Sequence, residues 1–276
     1  MSSNLCDFFV SLILSRLESS VDSLSRQFAS SSSEVGVRYF ALDELLPMAF
    51  ALKISSVFPA TQSMRLMSSF REKKFTSKNF EKFDPILRDI TFALQDPRVI
   101  SIIERITGIN HQIPDPSLYA GGLSAMVKGH YLCPHIDNSH DGSRKVYRVL
   151  NSLYYVSPNW SIDDGGNLEL WDKSVRKNAT IASLFNRLVI METTPFSWHS
   201  VSEVQTEKIR NCVSNYYFSS VSPTGEHYFN VTSFSARPEQ PFRRFVASID
   251  NHFRQAIRKV IPDGLGKKDV YRKPKS

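Results

Sequence analysis

The amino-acid sequence predicts a mainly β protein with flanking helices, whose core is an antiparallel barrel or jelly roll. Runs rich in β-branched and aromatic residues, which predict strands, occupy the second half of the chain. They are Val146–Val156, Asn167–Trp171, Arg187–Glu192 and Asn211–Ser219. Turn residues such as those of Asp163–Gly166 separate the runs, and no helical pattern intervenes. Short strands joined in this way are typical of antiparallel barrels and jelly rolls.

Two helices are expected before the strands. Asp84 and Asp96 are each followed by a proline, which places a capping residue in front of a proline at the first helical position. The second of these helices should end at Gly108, because glycine tolerates the left-handed conformation that often stops a helix. We expect both helices to cover one sheet of the barrel.

The N-terminal segment Leu5–Leu14 is apolar and predicts an amphipathic helix that docks on the barrel. A secretory signal is not expected here, because the segment contains Asp7 and no Lys or Arg precedes it. The Ser30–Ser33 run predicts a flexible connector.

The last part of the chain combines an apolar stripe with a basic tail. Apolar residues recur at helical spacing and predict a docked or dimer-forming helix. They are Phe242, Phe245, Val246, Ile249, Phe253, Ile257 and Val260. Residues 237–276 contain 11 Lys or Arg and 4 Asp or Glu, which accounts for the whole net charge of +7. A solvated helix face with a disordered tail is favoured over a nucleic-acid contact, because no basic groove interleaved with aromatic residues is present.

These patterns divide one structural domain into three regions. Residues 1–115 form an N-terminal helical support, residues 116–236 the barrel core, and residues 237–276 the C-terminal amphipathic helix and basic tail. The hydrophobic content of 41% and charged content of 22% are ordinary for a soluble globular protein. No apolar run reaches the roughly 18 residues needed to span a membrane. Three cysteines without C-x-x-C spacing indicate reduced thiols, and therefore a cytoplasmic protein.

His135, Asp137 and His199 are candidate metal ligands. His135 and Asp137 are separated by one residue, so on a strand both side chains point to the same face. Two imidazoles and one carboxylate can hold one face of an octahedral metal and leave other positions open for a cosubstrate and O2. His140 could replace His135, but it lacks the carboxylate two residues on. The other histidines are expected at the surface or around the site.

Several motifs occur in one order: HID (135–137), Arg148, YYVSPNW (154–160), GGNLELWD (165–172), WHSV (198–201) and Arg210. In this order the chain resembles the Fe(II)/2-oxoglutarate-dependent dioxygenase superfamily, in particular its prolyl-hydroxylase-like branch. TGINHQIPDPSLYAGGL (107–123) also resembles the segment that precedes the core in bacterial members. The resemblance covers about residues 80–235 and implies a double-stranded β-helix of the jelly-roll or cupin-like kind.

The resemblance also implies roles for particular residues. His135, Asp137 and His199 would bind Fe(II). Arg210 would hold the distal carboxylate of 2-oxoglutarate, with Lys208 as the competing choice, and a planar guanidinium suits two parallel hydrogen bonds to a carboxylate. The Tyr155 hydroxyl would share that carboxylate.

Leu153 would pack on the methylenes of 2-oxoglutarate, because it shares a strand face with Tyr155. Arg148, expected on the other face or at the start of its strand near the mouth of the site, is a candidate substrate contact. Tyr131 and Trp198 are further candidates for substrate binding.

The implied reaction is hydroxylation of an unactivated C–H bond by O2, coupled to conversion of 2-oxoglutarate into succinate and CO2. Asp137 favours hydroxylation over halogenation, because related halogenases replace this carboxylate with a small residue. An amino-acid-like or peptidyl substrate is expected, with proline the first choice. Two alternatives stay open at this point: an oxygenase acting on nucleic acid, and a cupin-like binding protein without catalysis.

Overall fold

The structure is a computed structural model that describes residues 4–242, 244, 270 and 271. Six α-helices lie in this part of the chain: α1 (Asn4–Glu18), α2 (Val21–Ser30), α3 (Ser32–Val35), α4 (Met48–Ser56), α5 (Pro85–Ala93) and α6 (Pro97–Thr107). Four strands lie within the N-terminal region: β1 (Tyr39–Leu42), β2 (Arg65–Ser68), β3 (Glu72–Ser77) and β4 (Gln112–Ile113). The region predicted as a helical support therefore also contributes strands.

The remaining strands follow in the second half of the described chain. They are β5 (Gly122–Met126), β6 (Tyr131–Ile136), β7 (Tyr147–Tyr155), β8 (Leu168–Trp171), β9 (Asn178–Ile181), β10 (Arg187–Glu192), β11 (His199–Val201), β12 (Arg210–Ser219) and β13 (Ser233–Phe234). Each run that predicted a strand is a strand, with ends that differ by at most two residues.

All the strands belong to one antiparallel sheet that curls on itself. The order is β1-β10-β7-β12-β5-β3-β6-β11-β8-β9, with β13 on β6, β2 on β3 and β4 on β12. Strand β3 joins the two halves of the curl, because Phe75–Ser77 pair with β5 while Glu72 and Lys73 pair with β6. The predicted jelly-roll class with flanking helices is confirmed.

The capped helices lie where the sequence places them. The side chains of Asp84 and Asp96 accept hydrogen bonds from the backbone N–H groups of Ile86 and Arg98, and Gly108 ends α6 in the left-handed conformation. Caps of this kind stabilise a helix by about 1 kcal/mol each. The two predictions for α5 and α6 are confirmed.

The helices form a layer against the β12 side of the sheet. Tyr217 of β12 donates a hydrogen bond of 2.6 Å to the backbone carbonyl of Leu94, and Asn215 donates one of 3.2 Å to Thr91. Helix α1 packs on α5 and α6. The N-terminal helix is therefore present as predicted, but it docks on the helix layer rather than directly on the barrel.

The serine run does not form the flexible connector that its composition suggests, because it lies at the junction of α2 and α3. Three hydroxyls donate to carbonyls three residues earlier: Ser30 to Gln27, Ser31 to Phe28 and Ser33 to Ser30. Serine hydroxyls often bond locally to the backbone in this way. The serine run is therefore ordered, with Ser31 joining the end of α2 to the start of α3.

Most of the C-terminal apolar stripe, with the dimer predicted from it, lies outside the described residues. Tyr271 is described: its ring packs against Phe80 and Phe92, and its N–H donates to the carbonyl of Ser117. In the part of the chain that the structure covers, no helix combines the length and apolarity needed to cross a membrane.

Candidate active site

Antiparallel pairing brings the three predicted metal ligands together. His135 lies near the end of β6, Asp137 follows that strand, and His199 begins β11 directly opposite His135. The Asp137 carboxylate oxygens lie 3.6 Å from Nε2 of each histidine, and one ligand atom from each residue falls within 4.8 Å of the others. All three side chains are buried. Among the described residues, no other group of three His, Cys, Asp or Glu side chains is as closely gathered.

The backbone orients both imidazole rings toward the centre of this group. Nδ1 of His135 lies 3.0 Å from the carbonyl oxygen of Cys133, and Nδ1 of His199 lies 3.0 Å from that of Ser197. A neutral ring that donates from Nδ1 leaves the lone pair of Nε2 free for a metal. In both cases the acceptor is two residues earlier in the chain.

The electrostatics of the site favour the protonation states that a divalent cation requires. Burial opposes ionisation of Asp137, but the nearby Arg148 guanidinium favours it most strongly, and the pKa of this carboxyl lies well below its usual range. Burial, with His135 nearby, lowers the pKa of His199 to about 4. At neutral pH the site therefore has an ionised carboxylate and a neutral His199 imidazole. The buried Oδ2 of Asp137 has no hydrogen-bond partner among the described residues.

The donor set fits Fe(II). Two imidazole nitrogens and one carboxylate oxygen, aimed at a common point with a cavity on one side, match the ligands and the open face of a non-haem Fe(II) centre. The unpartnered Oδ2 of Asp137 is the kind of orphaned buried atom that a bound cation would satisfy.

A β-bulge decides the position of Arg148. Along β7, Leu150 pairs with Tyr217 and Arg148 pairs with Phe218, so Val149 is an extra residue in the strand. Bulges of this kind turn side chains to the opposite face. Of the two positions expected for Arg148, it lies at the start of its strand, as the second residue of β7, and its side chain points towards Asp137 rather than to the other face. It is 1% exposed, with Nη1 3.5 Å from Oδ1 of Asp137 and the guanidinium carbon 3.9 Å from the centre of the Tyr216 ring.

A cavity of about 280 Å³ opens beside the three ligands. Arg210 lies in its wall and is 3% exposed. Its Nε donates to Oγ of Ser183 at 3.2 Å, and no carboxylate within the described part of the chain forms an ion pair with it. A buried cation without an anionic partner is costly, so this guanidinium is suited to an anionic ligand. Cys212, Ser214 and Tyr216, which follow Arg210 at every second position of β12, line the cavity on the same strand face.

Lys208, the competing candidate, lies away from the cavity. Its Nζ donates to the carbonyl of Asn159 at 2.7 Å and forms an ion pair with Asp164 at 2.6 Å. The side chain is 42% exposed. Its charge is therefore already balanced near the surface, which favours Arg210 as the residue that meets a carboxylate in the cavity.

Tyr155 and Leu153 lie next to Arg210. The guanidinium carbon of Arg210 is 4.8 Å from the centre of the Tyr155 ring, and Leu153 lines the cavity. Burial raises the pKa of Tyr155 to about 12, against the opposing effect of Arg210. The hydroxyl therefore stays protonated at neutral pH and can donate a hydrogen bond.

The second glycine of the GGNLELWD motif makes room for Arg210. Gly166 has a φ of +61°, and a Cβ built there would lie 2.7 Å from Cδ of Arg210. Any larger residue would both strain the backbone and displace the arginine.

Tyr131 and Trp198 are not among the residues that line the cavity. Neighbouring residues of a strand point to opposite faces. Leu132 of β6 faces the cavity, so Tyr131 faces away from it and lines a separate surface groove. His140 is buried, but it contacts Ser139 rather than the ligand group.

Several residues of the cavity wall were missed by the sequence analysis. Glu72, Lys74 and Thr76 of β3 face the cavity. Thr232, just before β13, and Phe234, within β13, also line it. The alternation of polar residues along β3 was a usable signal, but charged residues at that spacing more often lie on a solvated face. No local pattern marks Thr232 or Phe234.

The sequence profile of the 2OG-Fe(II) oxygenase superfamily matches residues 121–218, which contain all three candidate ligands and Arg210. Prolyl 3-hydroxylase OGFOD1 of Mus musculus is 35% identical over 85 residues, which cover 29% of this chain and 15% of the mouse protein. The Xenopus laevis protein of the same name is 38% identical over 84 residues, covering 28% of this chain and 16% of its own length. The chain thus matches less than a fifth of these relatives.

One solved structure, a prolyl 4-hydroxylase from Phytophthora capsici, superimposes with a TM-score of 0.51 at 13% identity. The match covers 91% of this chain and 78% of the other. At this identity the likeness shows the fold alone.

Proposed function

We propose that the chain is a 2OG-Fe(II) oxygenase, as the profile match over residues 121–218 supports, and that it hydroxylates an unactivated C–H bond of a peptidyl or amino-acid-like substrate, with a prolyl residue as the first choice. The reaction would consume O2 and 2-oxoglutarate and release succinate and CO2. One observation carries the proposal: a buried His-Asp-His group and a buried, unbalanced Arg210 face the same cavity.

The roles of the residues follow from their positions. His135, Asp137 and His199 would hold Fe(II), which together with 2-oxoglutarate supplies the oxidation of the C–H bond by O2. Arg210 would bind the distal carboxylate through two parallel hydrogen bonds, and Tyr155 would donate a third. Leu153 would pack on the methylenes between the two carboxylates. These contacts fix one orientation of the cosubstrate.

Arg148 is the candidate contact for a peptidyl substrate. Its Nη1 is directed at Asp137, whereas its Nε and Nη2 are buried and have no acceptor among the described residues. These donors would reach the carbonyl oxygen of a peptide group only if substrate binding moved neighbouring side chains, because Arg148 is 1% exposed and does not line the cavity. The names of the OGFOD1 relatives point in the same direction.

The experiment that tests the proposal is anaerobic titration of the purified apoprotein with Fe(II) and then 2-oxoglutarate, followed by the visible charge-transfer band. We expect a band that is absent in His199→Ala and that requires more 2-oxoglutarate in Arg210→Ala. Proline-containing peptides should then gain the mass of one oxygen atom during aerobic turnover. Absence of the band in folded, iron-supplied protein would rule out the oxygenase and favour a binding protein.

Two further parts of the proposal concern location and assembly. No disulfide joins the three cysteines, all of which are buried and lie in the described part of the chain, and on this ground we propose a reducing compartment such as the cytoplasm. A homodimer through the C-terminal apolar stripe is a prediction, which light scattering of the full chain and of a Phe245→Ser variant would test. We do not expect nucleic acid to be a substrate.

A further inference from the structure

We propose that residues 230–237, here called the clasp, set the metal affinity of the site, and that Asn230 is a positioning residue for Asp137. This inference rests on the proposed function in that it assumes a metal at the three ligands. The clasp lies beyond residues 121–218, the region that the family profile matches.

Asn230 holds the loop that begins at Asp137. Its Nδ2 donates to the backbone carbonyl of Asp137 at 2.8 Å. Its backbone N–H donates to Oγ of Ser139 at 2.9 Å, and the N–H of Ser139 donates back to the Asn230 carbonyl at 3.0 Å. The carbonyl of Ser139 in turn accepts a hydrogen bond from the N–H of Arg148. The backbone of Asp137 is therefore hydrogen-bonded to Asn230, and the backbone of Arg148 is hydrogen-bonded to Ser139, which is itself bonded to Asn230.

Strand β13 continues the clasp along the strand that carries His135. Ser233 pairs with Ile136 and Phe234 pairs with His135. The Phe234 ring is stacked on the His135 imidazole, with a centroid distance of 5.4 Å and an interplanar angle of 20°. Rotation of that imidazole away from the other two ligands would displace the phenyl ring.

The clasp also reaches the strand of the third ligand. Arg237 forms two hydrogen bonds to the carboxylate of Glu169, at 2.9 and 2.5 Å. Glu169 accepts a hydrogen bond from Oγ of Ser200, the residue that follows His199. One short segment therefore supports all three ligands, each through a different contact.

The physical need for such a support is greatest at Asp137. His135 and His199 lie within paired strands, whereas Asp137 lies just past the end of β6, where no ladder restrains the backbone. A metal site tolerates only small displacements of its ligands, and groups that orient the ligands commonly change metal affinity by 10–100-fold. The Asn230 amide is placed to supply that restraint.

The test compares Asn230→Ala and Asn230→Asp with Asn178→Ala. The Asp variant is isosteric but cannot donate to the Asp137 carbonyl when ionised. Asn178 also donates a side-chain hydrogen bond, to Thr180, and lies on β9, away from the ligands. Each variant is titrated anaerobically with Fe(II) at saturating 2-oxoglutarate, and then with 2-oxoglutarate at saturating Fe(II). Unfolding of each apoprotein is measured alongside.

We expect both Asn230 variants to raise the Fe(II) Kd about 10-fold or more, while the Kd for 2-oxoglutarate at saturating metal stays near the wild-type value. Fe(II) Kd values within twofold of Asn178→Ala would overturn the clasp. If an Asn230 apoprotein does not fold, Phe234→Leu, which keeps an apolar side chain but loses the stacked ring, is judged by its Fe(II) Kd alone, because Phe234 also lines the cavity. If the wild-type protein shows no charge-transfer band, the proposed function and this inference both fail. If the wild type shows the band but the Asn230 variants have the wild-type Fe(II) Kd, only the role of the clasp fails.

Discussion

Arg148 and Asp137 form a buried ion pair in which Nη1 lies 3.5 Å from Oδ1, with the two side chains 1% and 10% exposed. The pair joins the carboxylate proposed to bind the metal to a cation from a different strand. In the absence of metal, Arg148 is the strongest attractive partner of this carboxylate.

Replacing Arg148 with Met should destabilise the apoprotein by about 3–5 kcal/mol, because a buried charge is left without its partner. Fe(II) would neutralise the same carboxylate, so the metal-loaded variant should lose less stability. Unfolding measured anaerobically with and without Fe(II) tests this. Arg105→Met, which breaks an exposed ion pair with Glu18, serves as the control and should have little effect. Equal losses with and without metal would contradict the prediction.

Arg210→Ala should weaken 2-oxoglutarate binding by about 10–100-fold, since hydrogen bonds to charged groups contribute about 1.5–3 kcal/mol. Arg210→Lys keeps the charge but loses the planar fork, so an intermediate Kd is expected. Lys208→Ala removes a neighbouring cation that is already paired with Asp164, and it should leave the Kd unchanged. The amplitude of the charge-transfer band against 2-oxoglutarate concentration gives all three values. If Lys208→Ala raised the Kd for 2-oxoglutarate more than Arg210→Ala does, Lys208 rather than Arg210 would be the residue that binds the distal carboxylate.

The protein should lose stability steeply above about pH 10, because its buried phenols resist ionisation. Burial raises the pKa of Tyr155 from 10 to about 12 and also raises those of Tyr154 and Tyr217. The unfolded chain ionises first, so the stability from each phenol is intact below pH 10. Above pH 10 the stability that each buried phenol contributes falls by about 1.4 kcal/mol per pH unit, until the pH reaches the pKa of that phenol in the folded protein.

Denaturant unfolding between pH 7 and about 11, with phenolate absorbance recorded in parallel, measures this loss. In Tyr217→Phe the hydrogen bond to Leu94 disappears, so stability at pH 7 should fall by about 1 kcal/mol while the alkaline loss becomes smaller. Phenolate absorbance that rises fully before unfolding would show that the phenols are accessible in the folded state.

The ion pair between Glu72 and Lys74, 3.0 Å long, lines the cavity and should influence the choice of substrate. Lys74 holds the pKa of Glu72 below its usual value despite burial, so the Glu72 carboxylate is ionised at neutral pH. A substrate that covers the pair must complement these charges. Exchanging them, with Glu72→Lys and Lys74→Glu together, keeps the pair but inverts its direction.

The exchanged variant should lose about 10-fold or more in kcat/KM for the substrate, because like charges then meet, while its Kd for 2-oxoglutarate stays constant. Lys73→Met is the matched control, since Lys73 lies on the exposed face of the same strand. If the exchanged variant turns over substrate as the wild type does, the pair has no part in the choice of substrate.

Much of the site could be anticipated where the information is local. The spacing of His135 and Asp137 predicted a shared face, and the motif order pointed to Arg210, which lines the cavity. Arg148 shows where that reasoning ends. Period-two alternation along β7 predicts that Arg148 lies on the face opposite to Leu153, but the extra residue Val149 shifts the pattern. A bulge changes few local preferences, yet it reverses the face of every residue beyond it.

The sequence by itself determined four of the strands (β7, β8, β10 and β12), the two capped helices and the types of ligand available, because turns, caps and period-two patterns act over a few residues. Only the tertiary structure decided that His199 lies opposite His135, that Arg210 rather than Lys208 faces the cavity, and that Asn230 holds the Asp137 loop. These contacts join residues far apart in the chain, and they depend on strand register and on which charges other residues have already balanced.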